Sequence, residues 1–100
     1  MNYTIRYSDE VLDDFRDISL LITNEFGMPQ TAFKYLRGLK EKINSLEKYP
    51  TMYAIQTDKY IVQNFGWNMR RLNYKKVSVI YTIIDNEVWI IRAVWAYSIR

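Results

Sequence analysis

One hundred residues make one domain with no room for a second, and 49% hydrophobic with 25% charged residues is a globular composition. The chain has neither Cys nor His, which removes disulfides, thiolate metal sites, cysteine nucleophiles and histidine acid–base chemistry, so no metal or cofactor is expected. The net charge of +3 is uneven: residues 1–50 hold seven Lys/Arg against eight Asp/Glu, and residues 51–100 hold seven against three, which favours an acidic or phosphate-bearing partner for the second half.

In chain order, Tyr3–Tyr7 reads as a short strand with Tyr3, Ile5 and Tyr7 on one face. Ser8 offers a helix N-cap, and Asp9, Glu10, Asp13 and Asp14 load the first turns with negative charge. Val11, Phe15, Ile18 and Ile22 follow at helical spacing, and Gly27 stops that helix. A second helix opens near Pro29, its apolar seam running through Ala32, Leu36, Leu39, Ile43 and Leu46 to a stop at Tyr49-Pro50. Two striped helices with a short link predict an antiparallel hairpin. Residues 51–66 carry too many apolar residues for a free linker. They are expected to cover a sheet edge, with one helical turn around Asp58–Gln63.

The last third is rich in β-branched and aromatic residues, as strands prefer. It reads as Met69–Tyr74, Val77–Ile84 and Val88–Trp95, joined at Lys75-Lys76 and at Asp85-Asn86-Glu87. The expected fold is α+β, order β-α-α-β-β-β, with the helical hairpin on one face of a small, mostly antiparallel sheet and the other face left as a working surface. Arg70, Arg71 and Arg92 lie within these strands. A charge inside a strand must meet water or a partner, so the three guanidiniums are either solvated outer-face residues or a surface for something anionic. The N-terminus has no apolar signal-like stretch and no run approaches ~18 apolar residues, which predicts a soluble, cytoplasmic protein without membrane contact.

The layout resembles the RelE/ParE superfamily of bacterial type II toxin–antitoxin toxins across nearly the whole chain. The resemblance is carried by Tyr-Thr-Ile-Arg-Tyr-Ser before the acidic first helix, by Thr31–Pro50, by Arg70-Arg71-Leu72, by Val79-Ile80-Tyr81 and by the strand ending at Arg92. It implies a growth-inhibiting toxin neutralised by a cognate antitoxin, with an acidic amphipathic segment expected to lie over the basic sheet half. RelE-like members cut mRNA in the ribosomal A site, while ParE-like members poison DNA gyrase.

The ribonuclease reading ranks first, ahead of gyrase poisoning: Arg70, Arg71 and Arg92 would stabilise the phosphorane and Tyr97 would supply a proton, with the ribosome and mRNA as partners. Lys75, Lys76, Tyr81 and Arg100 would contact the substrate. Tyr81 fits a core strand position as well as a proton donor. The sequence departs from the RNA-cleaving pattern in lacking a His after the last strand and in carrying Ser78 where such relatives place an Arg. A gyrase poison, or a non-toxic antitoxin-binding relative, would need a binding surface and no catalytic set.

Overall fold

The computed structural model describes residues 2–96, and the expected catalytic Tyr97 and substrate-binding Arg100 lie outside that range. Strand β1 (Thr4–Tyr7) leads into helix α1 (Asp9–Phe26), which turns back as α2 (Pro29–Asn44) and closes with a 3-10 turn at Ser45–Glu47. A short helix α3 (Lys59–Phe65) precedes strands β2 (Arg70–Tyr74), β3 (Val77–Ile84) and β4 (Glu87–Trp95). The sheet order is β1-β4-β3-β2. Strands β2–β3 and β3–β4 are antiparallel, whereas β1 joins β4 in parallel.

Each boundary has a local cause. Ser8 sits in extended backbone, and its Oγ accepts from the Val11 amide at 3.0 Å, satisfying one of the free N–H groups of the first turn. The same hydroxyl donates to the Ile91 carbonyl at 2.7 Å, so the helix start is anchored to the central sheet. Gly27 ends α1 at φ 64°, where a Cβ would be unfavourable. Pro29 occupies the first turn of α2, where its missing N–H costs nothing. Asp58 caps α3 by accepting from the amides of Tyr60 and Ile61.

The two helical stripes and one face of the sheet share a single core. Val11, Phe15, Ile18 and Ile22 of α1 and Ala32, Leu39 and Ile43 of α2 pack with Leu72, Val77, Val79, Tyr81, Val88, Ile90 and Ala93. Strand alternation sets this selection: the register rows Leu72–Val79–Ala93 and Tyr81–Ile90 all point to the hairpin. Segment 51–58 does cover the sheet edge, with Ile55 bridged to Arg70 and the Gln56 amide bonded to the Met69 carbonyl at 2.7 Å.

The far face of the sheet is only partly free, contrary to the sequence expectation. Ile80 points away from the hairpin and is fully buried, as is Ile61 of α3, and neither joins the main core. Ile61 places α3 on buried apolar surface outside that core. The apolar content of residues 51–66 thus serves a second, smaller patch of core. No described helix is long and apolar enough to cross a membrane.

Candidate functional site: the arginines of the sheet

Arg70 and Arg71 are neighbours on one strand, so their side chains leave opposite faces of the sheet. Arg70 is paired with Tyr81 in the register and shares its face, toward the hairpin. Its Nη1 donates to the Tyr53 carbonyl at 2.6 Å, tying segment 51–58 to the edge strand. Arg71 is paired with Ile80, which is in turn paired with Arg92. Arg71 and Arg92 therefore flank Ile80 on the far face, two strand spacings apart, or roughly 10 Å between backbones. The three guanidiniums are not gathered into one cluster.

Their partners differ as much as their positions. Arg92 donates from Nε and Nη2 to the two carboxylate oxygens of Asp14 at 2.7 and 3.0 Å. The Asp14 carboxylate, whose side chain is only 12% exposed, also accepts from the Ala93 amide at 2.9 Å. That amide lies beyond the reach of β1, which pairs with β4 only as far as Ile90, so Asp14 satisfies an otherwise open sheet edge. Asp14 raises the Arg92 pKa above its ordinary value by hydrogen bonding to the charged form, which outweighs partial burial. Arg92 is thus permanently charged and already neutralised.

Arg71 meets only neutral groups. Its Nε donates to both Asn73 Oδ1 and Ser78 Oγ, each at 3.0 Å, and Ser78 Oγ donates to Asn73 Oδ1 at 2.7 Å. Ser78 is fully buried. Among the described residues Arg71 has no carboxylate partner.

The other expected contacts lie elsewhere. Tyr81 is fully buried, and its hydroxyl donates to the Pro50 carbonyl at 2.6 Å. Burial pushes its pKa up to about 12, so this phenol is a core residue and does not reach the surface as a substrate contact. Lys75 and Lys76 form the β2–β3 turn, Lys75 at φ 52°. They border an apolar groove of about 330 Å³ with Leu21, Ile22, Tyr35 and Trp95, on the hairpin side of the sheet. Lys75 Nζ stands 5.4 Å from the ring centroids of both Tyr35 and Tyr74.

The sequence reading missed Asp14, Asn73 and Ser78. Asp14 carried a signal: it sits three residues after Val11 and four before Ile18, on the edge of the apolar stripe, where a helix-dipole charge has no need to be. Ser78 carried another, as a small polar residue flanked by Val77 and Val79.

Comparison with known proteins bears on the whole chain. No curated protein sequence matches it. Among solved structures, a chain of the chromosomal ParDE toxin–antitoxin system from P. aeruginosa superposes with a TM-score of 0.76 at 16% identity, over 93% of this chain and 95% of that one. A chain of the RelBE2 toxin–antitoxin complex from Mycobacterium tuberculosis gives 0.62 at 13% identity, over 95% and 99%. Both share the fold. The sequence pattern described as "ParE toxin of type II toxin-antitoxin system, parDE" matches residues 5–98, nearly the full length, and the protein therefore belongs to the ParE family of the RelE/ParE toxins.

Proposed function

We propose that this toxin arrests growth by binding and poisoning its target, DNA gyrase, and not by cutting mRNA. The observation that carries the reading is the bidentate Arg92–Asp14 pair. Phosphorane stabilisation needs guanidiniums preset at the reacting phosphate and free to meet its charge. Arg92 would have to surrender a nearly buried carboxylate to do so, and Arg70 serves the opposite face. Arg71 alone is a thin set for a ribonuclease. Poisoning by binding asks only for a surface, and the match to the ParE pattern supports that choice. A cognate antitoxin that lays an acidic amphipathic segment over the basic half would neutralise the toxin by covering that surface.

The test is biochemical. Purified toxin is added to gyrase supercoiling and DNA-cleavage assays and, separately, to a translating extract with a defined mRNA. Inhibition of supercoiling or trapping of cleaved DNA, with the mRNA intact, is the expected result. Cut mRNA with gyrase unaffected would overturn the proposal and restore the ribonuclease reading.

A further inference from the structure

We propose that Arg71, held by Asn73 and Ser78, is a preset site for one carboxylate of a protein partner. The site does not depend on whether the toxin acts on gyrase or on mRNA, and it rests on a local arrangement that no other arginine of the sheet has. The single Nε–H of Arg71 is shared between Asn73 Oδ1 and Ser78 Oγ, both at 3.0 Å. The Ser78 proton goes to Asn73 Oδ1, so all three groups are satisfied by one another. Holding Nε fixes the plane of the guanidinium. The end bearing Nη1 and Nη2 makes no hydrogen bond to a described residue, and it can meet an oxyanion through two parallel N–H···O contacts. Ser78 is fully buried and cannot turn to water instead. A side chain ordered before the ligand arrives loses less freedom on binding, which is the advantage of preorganisation.

The choice of a carboxylate over a nucleic-acid phosphate backbone follows from the neighbours. A phosphate-tracking surface needs several open cations on one face. On the strands of the far face, Arg6 is paired with Glu87 at 2.7 Å and Arg92 with Asp14 at 2.7 Å. Arg71 is the one strand arginine facing that side, among the described residues, without an acid; Arg70, also without one, faces the hairpin. One open guanidinium beside the half-buried Val94, whose strand neighbour across the register is Ser78, suits a single acidic side chain with an apolar flank, as an amphipathic protein segment presents. Asn73 and Ser78 are positioning residues here, since they act only through Arg71.

Guanidinium-resolved NMR of the ¹⁵N-labelled toxin tests this directly. The Arg71 Nε–H should exchange more slowly with water than that of exposed Arg37, and Ser78→Ala should abolish the protection, while Ser78→Thr, which keeps the hydroxyl, should restore it. Acetate and methyl phosphate, each titrated at constant ionic strength, should shift the Arg71 Nη signals while those of Arg92 stay in place. Asn73→Asp keeps the acceptor for Nε but adds an internal carboxylate beside the exposed end of the site. It should leave the Nε–H protected and abolish the acetate response. Arg71 signals that respond no more than those of Arg37, or protection that survives Ser78→Ala in a folded protein, would overturn the site. A response to methyl phosphate with none to acetate would overturn the carboxylate assignment and favour a phosphate-bearing partner.

Discussion

The Arg92–Asp14 pair can be dissected with a double-mutant cycle, because both partners are individually replaceable and their roles are unequal. Arg92→Ala removes two charge-assisted hydrogen bonds, each worth ~1.5–3 kcal/mol where water is excluded. The Arg92 side chain is 39% exposed, so solvent screens it and the full figure does not apply. The Asp14 left behind is almost buried but keeps the Ala93 amide as a donor. Together these give an expected loss of about 2–3 kcal/mol for Arg92→Ala. Asp14→Ala gives up the pair and also leaves the Ala93 N–H without its acceptor, so it should cost about 1 kcal/mol more. The double variant should cost less than the sum by about 1–2 kcal/mol, the coupling of the pair itself. Urea unfolding of the four proteins, followed by circular dichroism, measures all these quantities. Growth assays run where Arg92→Ala is still folded complete the argument: toxicity should persist in proportion to the folded fraction. A coupling below ~0.5 kcal/mol would refute the energetic reasoning. A folded Arg92→Ala protein of unchanged stability and no toxicity would return Arg92 to the functional site.

Other outcomes follow from the same structure. Leu39→Ala and Ile43→Ala, both at fully buried positions, should each cost about 2–5 kcal/mol in urea unfolding. Gly38→Ala should destabilise by about 1–3 kcal/mol although Ala is the better helix former by ~1 kcal/mol, because the new methyl meets the Tyr74 hydroxyl and stands 3.0 Å from its Cζ. In a Tyr74→Phe background the penalty should shrink. For pH, the Tyr81 phenol has a folded pKa raised from 10.0 to about 12, so its neutral form is favoured by the fold. Its stabilising contribution is complete below pH 10 and is lost as the pH rises through about 12. Near-ultraviolet phenolate absorbance should show an ionisation near pH 12, and Tyr81→Phe should remove that step. An alkaline titration that Tyr81→Phe leaves unchanged near pH 12 would contradict the burial argument.

Much of the fold was legible because the core writes itself as periodicity. The stripes Val11–Phe15–Ile18–Ile22 and Ala32–Leu39–Ile43 are the buried ones, and Gly27 and Pro29 mark their ends as expected. The parallel pairing of β1 with β4 was not legible, since no local pattern reports which distant strand lies alongside. The placement of the arginines was less legible, for two reasons. Adjacent strand residues must face opposite sides, so Arg70 and Arg71 could have been separated from the sequence alone. Arg92 could not have been assigned so simply. An extra residue, Ile91, bulges β4 between the pairs Tyr81–Ile90 and Ile80–Arg92, and a bulge shifts every later side chain to the other face. Its Asp14 partner lies 78 residues away, a distance no spacing argument spans.

The β1–β4 pairing also sets a schedule for folding. Thr4–Tyr7 leaves the ribosome well before its hydrogen-bonding partners, Glu87–Ile90. Until β4 has been synthesised, β1 has no strand to join, Ser8 has no Ile91 carbonyl to bond, and Asp14 has neither Arg92 nor the Ala93 amide. The α1–α2 hairpin can form early from local contacts, but its apolar stripes stay uncovered meanwhile. The nascent chain therefore carries none of the assembled far face, and a ribosome making this toxin is not exposed to its finished form until translation of β4 is complete.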